Sequence, residues 1–325
     1  MNGIGQATME MARRYFDLFV NRLAYTVQSH KPNENGKHYY YRPKNDRRLS
    51  LKTLREHMKG QITIGIYALS PSTQRSKWVA IDADYENALE DLLKLQWELR
   101  QDGVEAALEK SRRGAHLWIF ADKPLLARHC RIYIYNLALR LKVPVKGGCG
   151  LAEGIEIFPR QDQLEPDEFG NAIRGPLGVH RASGRRYWFY GADYCLEAQV
   201  QYLERLRKIT EPEMGRFIGG LEMPEEFRPK PKIVLPPYDP TRREFRILDH
   251  VRPTHKRSGN YWTQCPSCAG QGRDHGGDNL AISVADPRKY KCWAGCTKEM
   301  IRVALGHPIR VRRQVEDALS ISDAQ

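Results

Sequence analysis

The stretch spanning residues 77–120 limits what this chain can become more than any other. Trp78-Val79-Ala80-Ile81 is short, apolar and partly β-branched, as a buried strand requires. It ends in Asp82-Ala83-Asp84. Side chains alternate faces along a strand, so the two carboxylates project to one side, close enough to hold a divalent ion. Magnesium and manganese prefer such hard oxygen ligands. Asp-x-Asp alone also suits an ordinary strand end leading into a helix, with Asp84 or a neighbour as its cap. Residues 85–101 read as that helix, with Leu89, Leu92, Leu93 and Leu99 on its apolar side and Asp102-Gly103 as its stop. A β-hairpin then follows over 106–120, whose turn is Ser111-Arg112-Arg113-Gly114 and whose second strand opens at His116. Arg112 and Arg113 are fork donors suited to phosphate, and Gly114 lets backbone approach a ligand. Metal-type carboxylates and phosphate-type cations thus fall within one βαββ unit, the pairing that phosphoryl transfer needs.

The bulk numbers narrow the partners. The chain has 325 residues, 41% hydrophobic and 28% charged, enough for one large domain plus a smaller one. Lys+Arg of 52 against Asp+Glu of 39 gives a net charge of +13, which favours a polyanion. No run of about 18 apolar residues offers a membrane span, and no signal peptide opens the chain, so nucleic acid is expected and membrane is not. Seven cysteines, four of them in two tight pairs near the C-terminus, suggest metal in a reducing cytoplasm rather than a disulfide framework.

Asp-x-Asp followed by Ser-Arg-Arg-Gly-Ala-His-Leu-Trp resembles motifs I and II of the archaeo-eukaryotic primase superfamily. The likeness is strongest to the primase-polymerases of bacterial conflict and CRISPR-associated systems and of mobile elements. Their upstream His-x-x-Gly and Ile-Gly-x-Tyr elements are similar to His57 through Gly60 and Ile64 through Tyr67. Their later Phe-Pro-x-Gln-Asp and Gly-Asn segments are similar to Phe158 through Asp162 and Gly170-Asn171. The resemblance covers roughly the first two hundred residues, and the order of motifs makes it specific. It implies an α+β fold: a primase catalytic core with an RRM-like sheet and a flanking α/β unit. It also implies that Asp82, Asp84 and Glu156 bind two Mg²⁺ or Mn²⁺ ions, Glu156 standing where most relatives have Asp. A strand Glu facing solvent, or one paired with Arg160, is the plain alternative. Ser111, Arg112, Arg113 and His116 would bind the nucleotide, joined by Asn171, Arg174 and His180 as the region that closes the pocket. Arg185 and Arg186 would track template phosphates.

Outside the motifs, 11–28 carries a helical apolar stripe, 50–58 a short helix capped by Ser50, and 61–69 a strand. The polar segment 31–48 interleaves Tyr39, Tyr40 and Tyr41 with Arg42, Lys44, Arg47 and Arg48. Tyr40 and Arg47 there suit a nucleic-acid strand, rings on bases and cations on phosphates; a hairpin with a solvated basic rim fits equally. Pro124 is expected to open a helix whose stripe buries Cys130, 186–190 to be the last strand of the core, and 197–209 its last helix. The catalytic domain is thus placed at 1–209, a proline-rich tether at 210–240 and a second domain at 241–325, opening with a helix over 241–251. In that domain Cys265-Pro-Ser-Cys268 and Cys292-Trp-Ala-Gly-Cys296 flank a strand-like insert, a spacing suited to one structural, tetrahedral Zn²⁺. His250 and His275 are alternative ligands. The segment resembles the zinc ribbons of bacterial and phage primases, including a helix after the second knuckle, here 298–305.

The expected activity is that of a cytoplasmic DNA primase-polymerase that initiates and extends primers on single-stranded DNA from NTPs or dNTPs, working with a helicase or conflict-system partner. A gap-filling repair polymerase that extends without priming, and a non-catalytic DNA-binding replication or defence adaptor, are the competing readings.

Overall fold

The computed structural model describes residues 7–34, 36–45, 47–147, 151, 153–166, 168–228, 239, 245–272, 274 and 276–309. The chain divides into two units, residues 1–230 and 231–325. The first runs α1 (Met9–Phe19), β1 (Tyr25–Gln28), β2 (Tyr40–Tyr41), α2 (Leu51–Met58), β3 (Ile64–Tyr67), β4 (Arg75–Ala83), α3 (Ala88–Gln101), β5 (Ala106–Lys110), β6 (Ala115–Leu126), α4 (Ala127–Arg140), β7 (Glu156–Phe158), β8 (Ala172–Arg174), β9 (Val179–His180), β10 (Arg185–Arg186), α5 (Leu196–Arg205) and α6 (Glu211–Phe217). Hydroxyl caps set several helix starts: Thr8 Oγ1 accepts from Met11 N, Ser50 Oγ from Thr53 N, and Thr210 forms a reciprocal box with Glu213.

The motif strand β4 lies inside a four-stranded antiparallel sheet of order β5-β6-β4-β7. Helix α3 links β4 to β5 and α4 links β6 to β7, giving the β-α-β-β-α-β order of RRM-like folds. Both faces of this sheet are buried. Val79, Ile81 and Ala83 pack with Leu92, Leu95 and Leu99 of α3 and with Ile134 and Leu137 of α4. Trp78 and Ala80 face the other way, onto Phe19, Leu54, Ile64 and Ile173 of the flanking unit, whose sheet is β2-β1-β3-β8. Trp78 and Trp118 are almost wholly buried there, ring centroids 4.9 Å apart, and Trp78 Nε1 donates to Phe19 O at 2.8 Å. The sequence thus makes β4 the wall shared by two cores, with Asp82 on the flanking-unit side by alternation.

Several expectations shift. Helix α3 starts at Ala88, and its inward positions are Ala88, Leu92, Leu95 and Leu99; Leu89 and Leu93 are exposed. Pro124 lies in β6, not in a helix, because the far end of that strand pairs back on Arg75 and Ser76; α4 opens at Ala127 and does bury Cys130. The expected last strand 186–190 splits: Arg185–Arg186 pairs with β9, while Lys110 and Tyr190 donate to Trp188 and Leu108 carbonyls along the edge of β5. Residues 210–228 stay with the first unit rather than forming tether: Met214 and Met223 are buried in its core and Phe227 lies 4.2 Å from the Tyr135 ring.

The second unit holds β11 (His255–Arg257), β12 (Asn260–Thr263), α7 (Pro266–Ala269), β13 (Leu280–Ser283), β14 (Tyr290–Cys292) and α8 (Lys298–Ala304). Its strands form one antiparallel sheet in chain order. The core face carries Leu280, Ile282, Tyr290 and Cys292, with Ile247 and Ile301 against it. Of the helix expected over 241–251, residues 241–244 lie outside the described set. The rest contributes a single turn, Ile247–Asp249, with Phe245 and Leu248 packed partly inward.

Candidate active site

Four strands meet in register at the motif. Glu109 on β5 pairs with His116 on β6, His116 with Asp82 on β4, and Asp82 with Glu156 on β7. Paired residues project from the same face, so the four form a row across the sheet. A cleft of about 550 Å³ opens beside it, lined among others by Tyr40, Asp82, Asp84, Ser111, Arg112, Arg113, His116, Arg174 and His180. Nine residues expected from widely separated segments therefore share one cavity.

Glu109, to which the sequence reading gave no role, holds this arrangement together. It is fully buried. Its Oε2 accepts from His116 Nδ1 at 2.8 Å and Trp118 Nε1 at 3.1 Å, and its Oε1 from Arg174 Nη2 at 2.7 Å. Burial pushes its carboxyl up, but Arg174 and His116 outweigh that and leave it below the usual range. His116 is the converse: burial favours the neutral ring, yet Glu109 and Asp82 raise its pKa to about 9. Arg174, buried as well, is held above its ordinary value because Glu109 outweighs desolvation. The one clue in the sequence was an acid closing the apolar run Ala106-Ala107-Leu108, on a strand with no solvent face.

His116 Nε2 lies 3.3 Å from Asp82 Oδ1, within ion-pair range but not aligned to hydrogen-bond it. Asp82 Oδ1 is consequently buried without a hydrogen-bond partner. Burial raises the Asp82 carboxyl, and His116 followed by Arg174 brings it below the ordinary value, so it is ionised. Asp84 is half-exposed; its Oδ2 accepts from Arg113 Nη2 at 2.7 Å and its Oδ1 from Ser111 Oγ at 3.3 Å. Among the described residues Arg112 pairs with no carboxylate. Gly114 serves the fold rather than a ligand: a Cβ there would sit 1.9 Å from Ala83 O. His180 is kept neutral, its pKa lowered to about 4 by burial and then by Arg174 and Arg112.

Other expected site residues stand apart from the cleft. Glu156 sits beside Asp82 in the row, but its Oε1 is engaged by Lys146 and its Oε2 accepts from Arg160 Nη1 at 2.8 Å. Among the described residues no third ligand closes on Asp82 and Asp84; the group whose donor atoms all lie within 4.8 Å is the four cysteines. Asn171 accepts from Gln161 Nε2 and does not line the cleft. Arg186 donates to Leu177 O with its guanidinium 5.5 Å from the Trp188 ring, while Arg185 is exposed on β10. Arg47 is exposed and donates to Lys44 O at 3.0 Å. His57 is fully buried: its Nε2 bonds Pro176 O at 3.0 Å and its Nδ1 accepts from Ile64 N at 3.3 Å.

A family model described as the archaeo-eukaryotic primase domain of the TOTE conflict system matches residues 12–217. The chain belongs to this family. No curated protein matches the chain. Among solved structures, the polymerase domain from Mycobacterium tuberculosis Ligase D in complex with DNA covers 67% of this chain and 94% of that one, at 11% identity and a TM-score of 0.26, a likeness too slight to bear on function. Nucleotidyl transfer is the chemistry of the primase-polymerase family. The primase domain's Asp82 and Asp84 fit the divalent metal that such chemistry uses, because Asp82 presents an ionised, buried oxygen that accepts no hydrogen bond. In the second unit, Cys265, Cys268, Cys292 and Cys296 are all buried, with Cys268 Sγ 3.5 Å from Cys292 Sγ and 3.3 Å from Cys296 Sγ. Sulfurs around a tetrahedral zinc stand about 3.8 Å apart, and a disulfide needs about 2 Å, so the cluster fits zinc. His250 stacks on Phe245, with the His307 ring tilted against it, and is not part of the cluster; His275 lies outside the described residues. Among the described residues no helix is long and apolar enough to cross a membrane.

Proposed function

We propose that the chain is a template-directed DNA primase-polymerase, joining a nucleoside triphosphate to a 3′-hydroxyl with release of pyrophosphate. The observation that carries this reading is the shared cleft, in which an unsatisfied carboxylate oxygen faces a set of arginines. Asp82 and Asp84 would hold the Mg²⁺ or Mn²⁺ ions, with Glu156 as a third ligand once released from Lys146 and Arg160. The ions, when bound, would activate the attacking hydroxyl and offset charge on the leaving pyrophosphate. Arg112, Arg174 and the His116 imidazolium supply fixed positive charge for the triphosphate, and Glu109 keeps the last two in place. Ser111 and Arg113 orient Asp84. Tyr40 at the cleft mouth, with Arg47, Arg185 and Arg186 on the surface, would meet the template strand. The zinc ribbon of residues 241–325 would grip template during initiation, and a helicase or other conflict-system component is the expected protein partner.

Asp82→Ala or Asp84→Ala, assayed on primed and unprimed single-stranded DNA with dNTPs and NTPs, should abolish both priming and extension. Retained synthesis by a folded double variant would refute the reading. The two cations on Glu156 favour one alternative, a DNA-binding adaptor that keeps the cleft without turnover; metal-dependent incorporation by the intact protein excludes it.

A further inference from the structure

Alternation along the ribbon strands places Leu280, Ile282, Tyr290 and Cys292 on one face, that of the core. The opposite face is a row of rings and cations. Across the strands, His255 pairs with Trp262, Trp262 with Ala281, and Ala281 with Lys291, and Trp293 follows Lys291 by two positions. The His255 and Trp262 rings lie 6.3 Å apart with planes 2° from parallel, and Trp262 and Trp293 lie 6.2 Å apart at 15°. Lys291 Nζ stands 4.7 Å from the Trp293 ring centroid. Trp262 Nε1 donates to Arg257 O at 3.2 Å, which fixes the ring.

The ribbon's core does not use these side chains. Among the described residues its buried cluster and the residues packed against it include none of the three rings, and Trp293 is 63% exposed. Trp262 is half-buried and tied to the hairpin by its bond to Arg257 O, whereas Trp293 presents a large apolar ring to solvent, parallel to it and beside Lys291. The outward strand positions carry no carboxylate.

We infer that this face is a base-stacking platform for single-stranded nucleic acid, with Trp262 and Trp293 receiving bases and Lys291 and Arg257 the phosphates. Flat rings accept any base, and flanking cations follow the strand without reading sequence. Charge complementarity calls for a polyanion, and the near-parallel rings favour one that carries a flat base at every repeat over an acidic peptide. The inference rests on the polymerase reading only for the biological origin of the strand.

The test titrates the full-length, zinc-loaded protein onto labelled oligothymidylate and onto an abasic strand of equal length, with neither nucleotide nor catalytic metal present. The intact protein should prefer the strand with bases. Trp262→Ala with Trp293→Ala should lower affinity for oligothymidylate about tenfold or more and leave the abasic strand unchanged. Trp262→Phe with Trp293→Phe should restore most of the preference, since a phenyl ring also stacks. Lys291→Ala should weaken both strands alike and flatten the salt dependence. Zinc content reports whether each variant keeps its fold. A zinc-loaded double alanine variant that retains the preference, or loses both strands equally, overturns the inference, as does failure of the phenylalanine pair to rescue. Because no turnover is measured, a chain inactive as a polymerase would still reveal the platform, and an active one lacking it would not.

Discussion

Replacing Glu109 by Ala would remove the acceptor shared by His116, Trp118 and Arg174. Two of those donors belong to cations with little solvent exposure, so the truncation strips Arg174 of its carboxylate partner and leaves His116 with Asp82 alone. Removing one partner of a buried pair costs about 3–5 kcal/mol, and a carboxylate serving two cations belongs in the upper half, about 4–5 kcal/mol. For a unit of residues 1–230, about 2–4 °C is lost per kcal/mol, which gives a fall in Tm of about 8–20 °C. Glu109→Gln keeps an acceptor but not the charge, and should fall about half as far. Thermal unfolding followed by circular dichroism measures both. In the folded Gln variant nucleotide KM should rise more than kcat falls, because His116 and Arg174 lose their fixed positions without being removed. An Ala variant that melts within about 2 °C of the parent would refute the reasoning, since an unpaired buried charge cannot cost so little.

Arg112→Ala should raise nucleotide KM by about tenfold or more, and Arg113→Ala by clearly less, because Arg113 is already committed to Asp84; equal effects in steady-state assays would contradict this. His57 should make stability fall in acid. Burial, then Arg174 and Arg186, lowers its pKa from 6.5 to about 4, so the unfolded chain takes up the proton first. The contribution, about 3 kcal/mol, is complete above pH 6.5 and is lost as pH falls toward 4; denaturant midpoints of the parent against His57→Gln across that window test it. Cys265→Ser with Cys268→Ser should release the zinc and abolish most synthesis on unprimed template while sparing primer extension. A truncation for the same purpose belongs after Arg228, since Met223 and Phe227 pack in the first unit; normal priming by either protein would show that the ribbon has another task.

The residues that carry local chemistry were legible: Asp-x-Asp at a strand end, arginines in a tight turn, and cysteine knuckles declare themselves through type and spacing. Helix phase was less so, because Leu89, Leu92, Leu93, Leu95 and Leu99 offer two apolar stripes, and only the sheet beneath α3 selects one. Glu109 escaped because its meaning comes from Arg174, on a strand sixty-five residues away. The cations on Glu156 are half legible for the same reason: Arg160 stands four residues along in sequence, whereas Lys146 arrives from the segment before β7. Composition alone sets the start of the tether too early, because proline density rises before the chain stops contributing to the core.

The row Glu109–His116–Asp82–Glu156 makes interstrand spacing the ruler of the site. Neighbouring strands stand about 4.8 Å apart, so the spacing between the backbone positions of His116 and Asp82 is a lattice constant of the sheet and owes nothing to loop conformation. Substitution of Arg112 or Arg113 at the hairpin tip can change the charge the turn presents without disturbing that spacing, whereas Gly114 is held by its approach to Ala83 O. A one-residue insertion inside β4 or β6 cannot be so forgiving: it would turn Asp82 or His116 into a core that holds Ile81 and Leu117. Variation in such a chain should therefore come as substitutions on the strands and as changes of length only at the hairpin tip.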